Sequence, residues 1–306
     1  MTTPRFAIAI PQSFDGPVDP GLIREYLARA EELGCFDSAW DQEQILGGMS
    51  SLEPIDLLTF AAACTSRLRL GCAVLLTALR SPVHLAKSLS TLDNLSQGRL
   101  IVGVGLGASR GIYPAFGAQA ETRAARFSEG VGLMKALWTE PRVTFEGRFW
   151  QLKDAAMEPK PVQRPHPPVW FGGGHPNALR RAVQLGDGFI GAGSSSTEQF
   201  VDHVRQLREL LAESGRDPAG FAIGKRVYIA VDDDPARAWD SLARWFQARY
   251  GRTEYQHIAV WGRPDHCAAK VREVAAAGAG LILLTPVVND FAQLERLAGE
   301  VAPGAA

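Results

Sequence analysis

Short apolar runs alternate along the chain with longer stretches in which apolar residues recur every three to four positions. The first pattern predicts buried strands, and the second predicts helices that turn one face to a core. Eight strands are predicted, at residues 6–10, 35–41, 68–76, 100–104, 169–171, 188–191, 223–231 and 281–284. Helices are predicted between them, and a final helix at about residues 290–301 follows the last strand.

Capping signals indicate where some of these helices begin. Ser81 followed by Pro82 is typical of an N-cap residue and the first helical position. Ser195 and Glu198 have the spacing of a capping box, which predicts a helix that continues to about Ser214. The alternating polar and apolar stretch at residues 143–149 predicts a small hairpin outside the strand–helix rhythm.

Eight strands separated by helices are the elements of an α/β fold, the (β/α)8 TIM barrel with insertions. Parallel strands need helical crossovers and are covered on both faces, which explains why most of the predicted strands are continuously apolar. An open doubly wound sheet is the alternative, but no GxGxxG follows the first strand. The 306 residues suffice for one barrel of about 250 residues with additions. We expect a single domain over residues 1–306, with insertions at about 106–120 and 139–167.

Composition and charge exclude several classes of protein. Apolar residues make up 46% of the chain and charged residues 21%, as in an ordinary globular protein with a full core. A net charge of −1 argues against nucleic-acid binding, and no apolar run reaches the roughly 18 residues of a membrane span. The four cysteines have neither CxxC nor metal-site spacing. We therefore expect reduced thiols, no metal and a cytoplasmic location.

If the fold is a barrel, the active residues lie just beyond the strand ends. The turn after the fifth strand consists of Gly172, Gly173, Gly174 and His175. It leads directly into a helix, so free backbone N–H groups and the positive end of the helix dipole converge on an anion site. Arg180 and Arg181 could add positive charge. The alternative is a tight turn without a ligand, and Gly191 to Ser194 is a weaker site of the same kind.

Few residues at the strand ends have acid–base chemistry. Asp41 and Gln42 end the second strand and are the weak catalytic candidates, although a capping or loop role is equally open. Gly103, Gly105 and Gly107 alternate at the end of the fourth strand, where a flat ring or another backbone could approach closely. No Ser-His-Asp order, HExxH or useful carboxylate pair occurs. Such a site suits cofactor chemistry.

Other candidate groups have less specific patterns. His203 lies inside a predicted helix, where a surface or packing role is expected. A phosphate-binding isomerase or aldolase would need a lysine or carboxylate at a strand end, but Lys87 and Lys225 lie at the wrong ends of their elements.

Several segments in order resemble the bacterial luciferase-like flavin-dependent oxidoreductases. The core segments are SPVHLAK at 81–87, TLDNLSQGR at 91–99 and VGVGLG at 102–107. The resemblance continues through FEGRF at 145–149, PPVWFGGG at 167–174 and GDG at 186–188. The turn GGGHP at 172–176 and SGRD at 214–217 are most similar to the members that use the deazaflavin coenzyme F420.

The resemblance implies a homodimer with a flavin-type ring at the C-terminal mouth of the barrel. It implies a bulge after the third strand with a non-proline cis bond in the segment Ala73-Val74-Leu75, and a coenzyme phosphate beside the glycine turn. F420 is the preferred cofactor and FMN the alternative. The expected cofactor-binding residues are Asp41, Ala73, Val74, Gly105, Gly107, Gly172, Gly173, Gly174, His175, Gly191 and Ser194.

Two positions depart from the pattern of the relatives. Many of them have Asp-His at the end of the second strand, whereas this chain has Asp41-Gln42, and glutamine is no general base near neutral pH. The deazaflavin sugar-phosphate dehydrogenases have a glutamate where this chain has Ala108. Their proton-transfer scheme and substrate therefore do not carry over. The sequence predicts hydride transfer between F420 and a small organic substrate, with an FMN-dependent monooxygenase or a non-catalytic flavin-binding protein as alternatives.

Overall fold

The computed structural model describes residues 3–14, 16–107, 111–288 and 290–305. The strands are β1 Arg5–Ala9, β2 Phe36–Asp41, β3 Arg69–Cys72, β4 Leu100–Val104, β5 Val143–Glu146, β6 Gln151–Ala155, β7 Val169–Gly172, β8 Gly188–Gly191, β9 Ala222–Val231, β10 Ala259–Gly262 and β11 Leu281–Pro286. The helices are α1 Pro20–Leu33, α2 Pro54–Cys64, α3 Pro82–Leu95, α4 Arg123–Thr139, α5 Pro176–Leu185, α6 Thr197–Glu213, α7 Pro235–Tyr250, α8 Pro264–Ala276, α9 Phe291–Arg296 and α10 Ala302–Ala305.

Eight parallel strands close into a barrel with helices alternating around it, which confirms the predicted (β/α)8 fold. The order around the barrel is β1, β2, β3, β4, β7, β8, β9 and β11, and β11 pairs again with β1. Closure depends on β9, which is ten residues long. Its first residues, 222–225, pair with β8, whereas residues 228–231 pair with β10. None of the described helices is both long and apolar enough to cross a membrane.

The strand β10 was not predicted. Its sequence, AVWG, is only four residues long. It pairs with the part of β9 that extends beyond the end of β8, so it exists because the barrel strands are staggered. The third strand was predicted at residues 68–76, which is too long. The structure ends β3 at Cys72, and the chain then forms a bulge.

Two local predictions need correction. Ser195 and Glu198 do not form the capping box: Ser196 is the N-cap, its Oγ accepts from the Gln199 N–H at 3.2 Å, and the Gln199 side chain accepts from the Ser196 N–H at 3.0 Å. Ser195 instead donates from Oγ to the Ala192 carbonyl at 2.8 Å, because it belongs to the preceding turn. The hairpin pairs β5 with β6, so residues 143–149 supply only one strand and the connection.

The lower part of the barrel interior is filled by two tryptophans. The rings of Trp40 and Trp170 lie 5.6 Å apart and pack with small and aliphatic side chains. Glycines provide the space: a Cβ on Gly71 would lie 2.6 Å from the Trp40 ring, and one on Gly188 would lie 2.9 Å from Trp170. These rings form a floor, and the cavities lie above it at the C-terminal ends of the strands.

Candidate functional site

The chain leaves β3 through a bulge whose Ala73–Val74 peptide bond is cis, as the resemblance predicts. The Ala73 N–H donates to the Asp41 carbonyl at 2.9 Å, and the Leu75 N–H donates to the Gly103 carbonyl at 2.8 Å. Hydrogen bonds to both neighbouring strands therefore hold the bulge at the barrel mouth, where the Val74 side chain borders two cavities.

The alternating glycines of β4 accommodate this bulge. A Cβ on Gly103 would lie 1.8 Å from the Cys72 carbonyl oxygen, and one on Gly105 would lie 2.5 Å from the Val74 side chain. Gly172 makes room for the same side chain, with a Cβ distance of 2.9 Å. At Gly103 the contacts support one of the two predicted reasons for these glycines, the close approach of another backbone.

A buried ion pair supports the bulge from outside. The Glu43 carboxylate accepts from the Leu76 N–H and from the Arg80 guanidinium, with Nη2 to Oε1 at 2.6 Å. Its side chain is fully buried, and burial raises the pKa of Glu43 although Arg80 opposes the shift. Sequence reasoning missed this pair, because 37 residues separate its members.

The glycine turn after β7 opens on a cavity of about 590 Å³. Gly173 has a φ of +110°, and the next residue, Gly174, is exposed. His175 is the N-cap of α5, and its Nδ1 accepts from the Asn177 N–H at 3.1 Å. The cavity is lined by Gly105, Gly107, Gly172, Gly173, Gly174, His175, Ala192 and Ser194, together with Arg123, Phe127 and Arg181. It thus unites most of the residues predicted to bind a cofactor.

Two arginines give this cavity a positive charge. The Arg181 Nε is buried and has no hydrogen-bond partner among the described residues. Burial, followed by the nearby Arg123, lowers the pKa of Arg181. Arg180 lies outside the cavity lining and donates to the Asn177 side chain at 2.7 Å. Arg180 and Arg181 were both predicted to add positive charge, but only Arg181 lines the cavity. The second cation that lines it is Arg123, at the start of α4, which the sequence analysis missed.

His203 packs behind the glycine turn. A Cβ on Gly174 would lie 2.4 Å from the His203 ring, which also meets Phe189 edge-on at 6.1 Å. Burial lowers the pKa of His203, with Lys225 adding to the effect. The imidazole therefore faces the back of the turn, and its neutral form is favoured.

Lys225 anchors the turn that follows Gly191, the last residue of β8, and contains Ser194. The Lys225 amine is buried and donates to the carbonyls of Ala192 and Ser195, the latter at 2.8 Å. Burial lowers its pKa to about 7. The prediction that Lys225 lies at the wrong strand end needs correction, because the stagger of β9 pairs Lys225 with Gly191 at the end of β8. Its side chain nevertheless lines a cavity outside the barrel mouth.

Asp41 is buried at the edge of the mouth, with only 4% of its surface exposed. Within the described residues neither carboxyl oxygen has a partner in ordinary hydrogen-bond geometry, although the Cys72 thiol lies beside it. Burial raises the pKa of Asp41 well above its usual range, and the charges of Glu53 and Glu43 add to the rise. The carboxyl is therefore held towards its protonated, hydrogen-donating form.

Gln42 is fixed on both sides. Its backbone N–H donates to the Gln12 side chain at 3.0 Å, and its own Oε1 accepts from Arg226 Nη1 at 2.6 Å. Arg226 was not predicted as a site residue. The signal was present, since Lys225 and Arg226 stand side by side in an apolar strand, and alternation sends one outward and the other into the barrel.

The cavities at the mouth adjoin one another. A cavity of about 180 Å³ lies between the bulge and β9 and shares Val74, Gly172 and Gly173 with the larger cavity. It also shares Arg226 with a small recess of about 40 Å³ that is lined by Asp41 and Gln42. The described part of the chain contains no group of three His, Cys, Asp or Glu side chains arranged to bind a metal. The mouth is thus an open, connected space with Arg123 and Arg181 at one side.

Comparison with known proteins gives consistent matches. The sequence profile of the family described as luciferase-like monooxygenase matches residues 5–258. An F420-dependent glucose-6-phosphate dehydrogenase of Kineococcus radiotolerans is 34% identical over 234 residues, which cover 74% of this chain and 68% of the relative.

Two solved structures illustrate the range of the fold. An F420-dependent secondary alcohol dehydrogenase in complex with an F420–acetone adduct has a TM-score of 0.85 at 20% identity and covers 100% of both chains. The oxygenating constituent of a diketocamphane monooxygenase of Pseudomonas putida, in complex with FMN, has a TM-score of 0.79 at 17% identity, over 100% of this chain and 99% of the other. These two likenesses establish the fold.

Proposed function

The chain belongs to the luciferase-like monooxygenase family, and from this premise we propose that it is an oxidoreductase that transfers a hydride between the deazaflavin coenzyme F420 and a small organic substrate. The F420-dependent dehydrogenase that is 34% identical supports the choice of coenzyme. The proposal rests on the cavity of about 590 Å³, which borders the bulge at Val74 and contains Arg181, whose Nε has no hydrogen-bond partner in the described part of the chain.

The residues at the mouth fit such a coenzyme. Anions bind where helix N-termini, free amides and arginines converge, and the turn at 172–174 with Arg123 and Arg181 provides all three. No Asp or Glu side chain lines this cavity within the described ranges, so an anionic group meets no repulsion there. The adjoining cavity beside Ala73 and Val74 would hold the ring.

When bound, a deazaflavin supplies two-electron hydride chemistry, which side chains cannot provide. The protein orients the reactants: the Val74 bulge limits the space on one side of the mouth, and the tryptophan floor closes the barrel below. Asp41, held towards its protonated form, can donate a hydrogen bond or a proton into the recess that it lines. Gln42 cannot accept a proton near neutral pH, and its side chain instead holds Arg226.

The substrate of the dehydrogenase relative is not carried over to this chain. Gln42 occupies the place at which many relatives have a histidine, and Ala108, where the sugar-phosphate enzymes have a glutamate, lies outside the described residues. An FMN-dependent monooxygenase is the second candidate, supported by the FMN-bound structure with the same fold. A flavin-binding protein without turnover is the third.

Titration of the purified protein tests the proposal. F420 and FMN, each oxidised and reduced, are added to the apoprotein while ring fluorescence is followed. We expect saturable binding of F420 that is tighter than that of FMN. Tighter binding of FMN, with oxygen consumption by the reduced complex, would favour the monooxygenase. Binding of F420 without turnover of any alcohol, ketone or enone would favour the flavin-binding protein.

We propose three further properties from the sequence. They are a single domain over residues 1–306 with insertions at about 106–120 and 139–167, a homodimer and a cytoplasmic location. Light scattering on the purified protein measures the oligomeric state, and a mass equal to one chain would contradict the dimer.

A further inference from the structure

Arg226 places a buried positive charge in the mouth, and no Asp or Glu among the described residues forms an ion pair with it. Arg226 is 8% exposed. It borders both the cavity of about 180 Å³ beside Ala73 and Val74 and the recess at Asp41. Its guanidinium donates to Gln42 Oε1 at 2.6 Å and to Thr285 Oγ1 at 3.1 Å, and lies 4.9 Å from the centre of the Tyr228 ring. All three partners are neutral. A buried charge is stabilised far better by an opposite charge, so this arrangement is complete only with an anion.

The recess beside Arg226 is small. At about 40 Å³ it has room for a group of a few atoms, and Asp41 is the one acidic side chain that lines it among the described residues. Neither carboxyl oxygen of Asp41 has a hydrogen-bond partner among the described residues, so Asp41 does not pair with Arg226, and burial raises its pKa well above the usual range. A planar carboxylate matches both the space and the guanidinium fork.

A larger groove continues outward from this recess. It encloses about 860 Å³ and shares Ser13 and Trp245 with the recess. Its apolar lining consists of Phe14, Leu22, Met49, Trp245, Ala248, Val287 and Val288. Three serines and Arg244 complete the side chains, and within the described part of the chain no Asp or Glu lines it. The apolar side chains can pack against a hydrocarbon body, while the serines and Arg244 give the groove some polar positions.

The cationic character extends along the rim. Arg244 lines the groove, and Arg249 lies 5.4 Å from the centre of the Trp245 ring and 3.9 Å from the Met49 sulfur. Arginines therefore lie at the rim and at the inner end, with the apolar side chains of the groove between them, and this arrangement is complementary to an anion with a hydrocarbon chain.

We infer that the substrate is an apolar carboxylate whose carboxylate binds Arg226 and whose hydrocarbon body lies in the groove between α7 and the 13–14 and 48–50 segments. The inference rests on the proposed function, which places the coenzyme on the other side of Arg226. It names a substrate class that differs from sugar phosphates in both charge distribution and polarity.

Binding to the F420-loaded protein tests this assignment by isothermal titration calorimetry. The probes are butanoate, hexanoate, octanoate, octanol and glucose 6-phosphate. Burial of one methylene is worth about 0.8 kcal/mol, so affinity should rise up to about fourfold per methylene from butanoate to octanoate. Octanol should bind at least about tenfold more weakly than octanoate, because it lacks the charge.

Variants separate the two parts of the site. Arg226→Met should weaken octanoate binding about tenfold or more, whereas Arg226→Lys should recover part of it. Ala248→Trp fills the groove from an exposed position on α7 and should abolish the dependence on chain length while butanoate binding persists. Ala236→Trp is the matched control, since Ala236 is exposed on the same helix but does not line the groove.

The outcomes distinguish this inference from the proposed function. A protein that fails to bind F420 contradicts the proposed function itself. F420 binding with equal affinities for butanoate and octanoate, or for octanol and octanoate, overturns the substrate class alone, as does tighter binding of glucose 6-phosphate. If Arg226→Met weakens F420 binding as much as it weakens octanoate binding, the guanidinium belongs to the coenzyme and the inference is wrong.

Discussion

Arg181 offers the sharpest test of the anion site. Its Nε is buried without a partner within the described residues, and it lines the cavity that begins at the glycine turn. Arg181→Met removes the charge and keeps a long apolar stem against Phe127. A substitution at Gly173 would address the same site, but its φ of +110° strains any side chain, so Arg181 gives the cleaner perturbation.

The size of the effect follows from the missing partner. A hydrogen bond to a charged group is worth about 1.5–3 kcal/mol, and each 1.4 kcal/mol is a factor of ten in Kd. We therefore expect F420 to bind Arg181→Met roughly 10- to 100-fold more weakly. Because the Arg181 Nε is buried without a partner among the described residues, the cost of its desolvation is not offset there, and the Tm of the apoprotein should stay equal or rise. Binding should also depend less on ionic strength than in the wild type.

The assay is a fluorescence titration with F420 at several salt concentrations, with Tm recorded for each protein. Arg180→Met is the matched control, since it removes the same charge from the preceding residue of α5, outside the cavity lining. It should change the Kd by no more than about twofold. Equal losses in the two variants would mean that only the overall charge matters, and an unchanged Kd for Arg181→Met would refute the site.

Three further predictions concern stability. Arg99→Ala removes a guanidinium that makes five hydrogen bonds, four of them to backbone carbonyls. In urea denaturation it should lower the free energy of unfolding by about 3–5 kcal/mol, while the Kd for F420 stays unchanged. An unchanged free energy of unfolding would contradict the packing role. Gly103→Ala should prevent stable folding, because its Cβ would lie 1.8 Å from the Cys72 carbonyl oxygen. A Cβ on Gly132 would meet nothing within 4 Å, so Gly132→Ala should have a Tm equal to or higher than that of the wild type. Similar Tm values for the two variants would refute the steric argument. The raised pKa of Asp41 means that the folded state favours the protonated carboxyl, so the wild type should lose stability as the pH rises above about 4, while Asp41→Asn should lose less; parallel Tm profiles from acid to neutral pH would show that the carboxyl is not perturbed.

The barrel could be predicted because its strands are covered on both faces. The runs LIVGV in β4 and LILL at the start of β11 contain no polar side chain, and helices with recognisable caps lie next to them in the sequence. Strands that are short or extend past their neighbours give weaker signals. AVWG in β10 is too short to stand out, and it is a strand only because the end of β9 offers it free hydrogen-bonding groups.

The part of the candidate site that is formed by backbone N–H groups could be predicted from the sequence. Three successive glycines before a helix create an amide-lined turn wherever the chain folds, so the glycine turn after β7 could be found by inspection. The cis bond at Ala73–Val74 was expected from the family resemblance and is present. Arg123 was missed, because a cation on a helix start gives no sign of the cavity that it will face.

The sequence by itself determined the order of the eight barrel strands, the helices between them and the glycine turn after β7, because these depend on neighbouring residues. Only the tertiary structure decided which polar groups meet. Gln42 and Arg226 are 184 residues apart, yet they share a hydrogen bond because the barrel brings β2 and β9 to the same mouth. The stagger of the strands likewise sets Lys225 beside the end of β8, and the alternation of side chains along β9 then turns Arg226 inward. Such pairings arise from barrel closure, a property of the whole chain that no local pattern records.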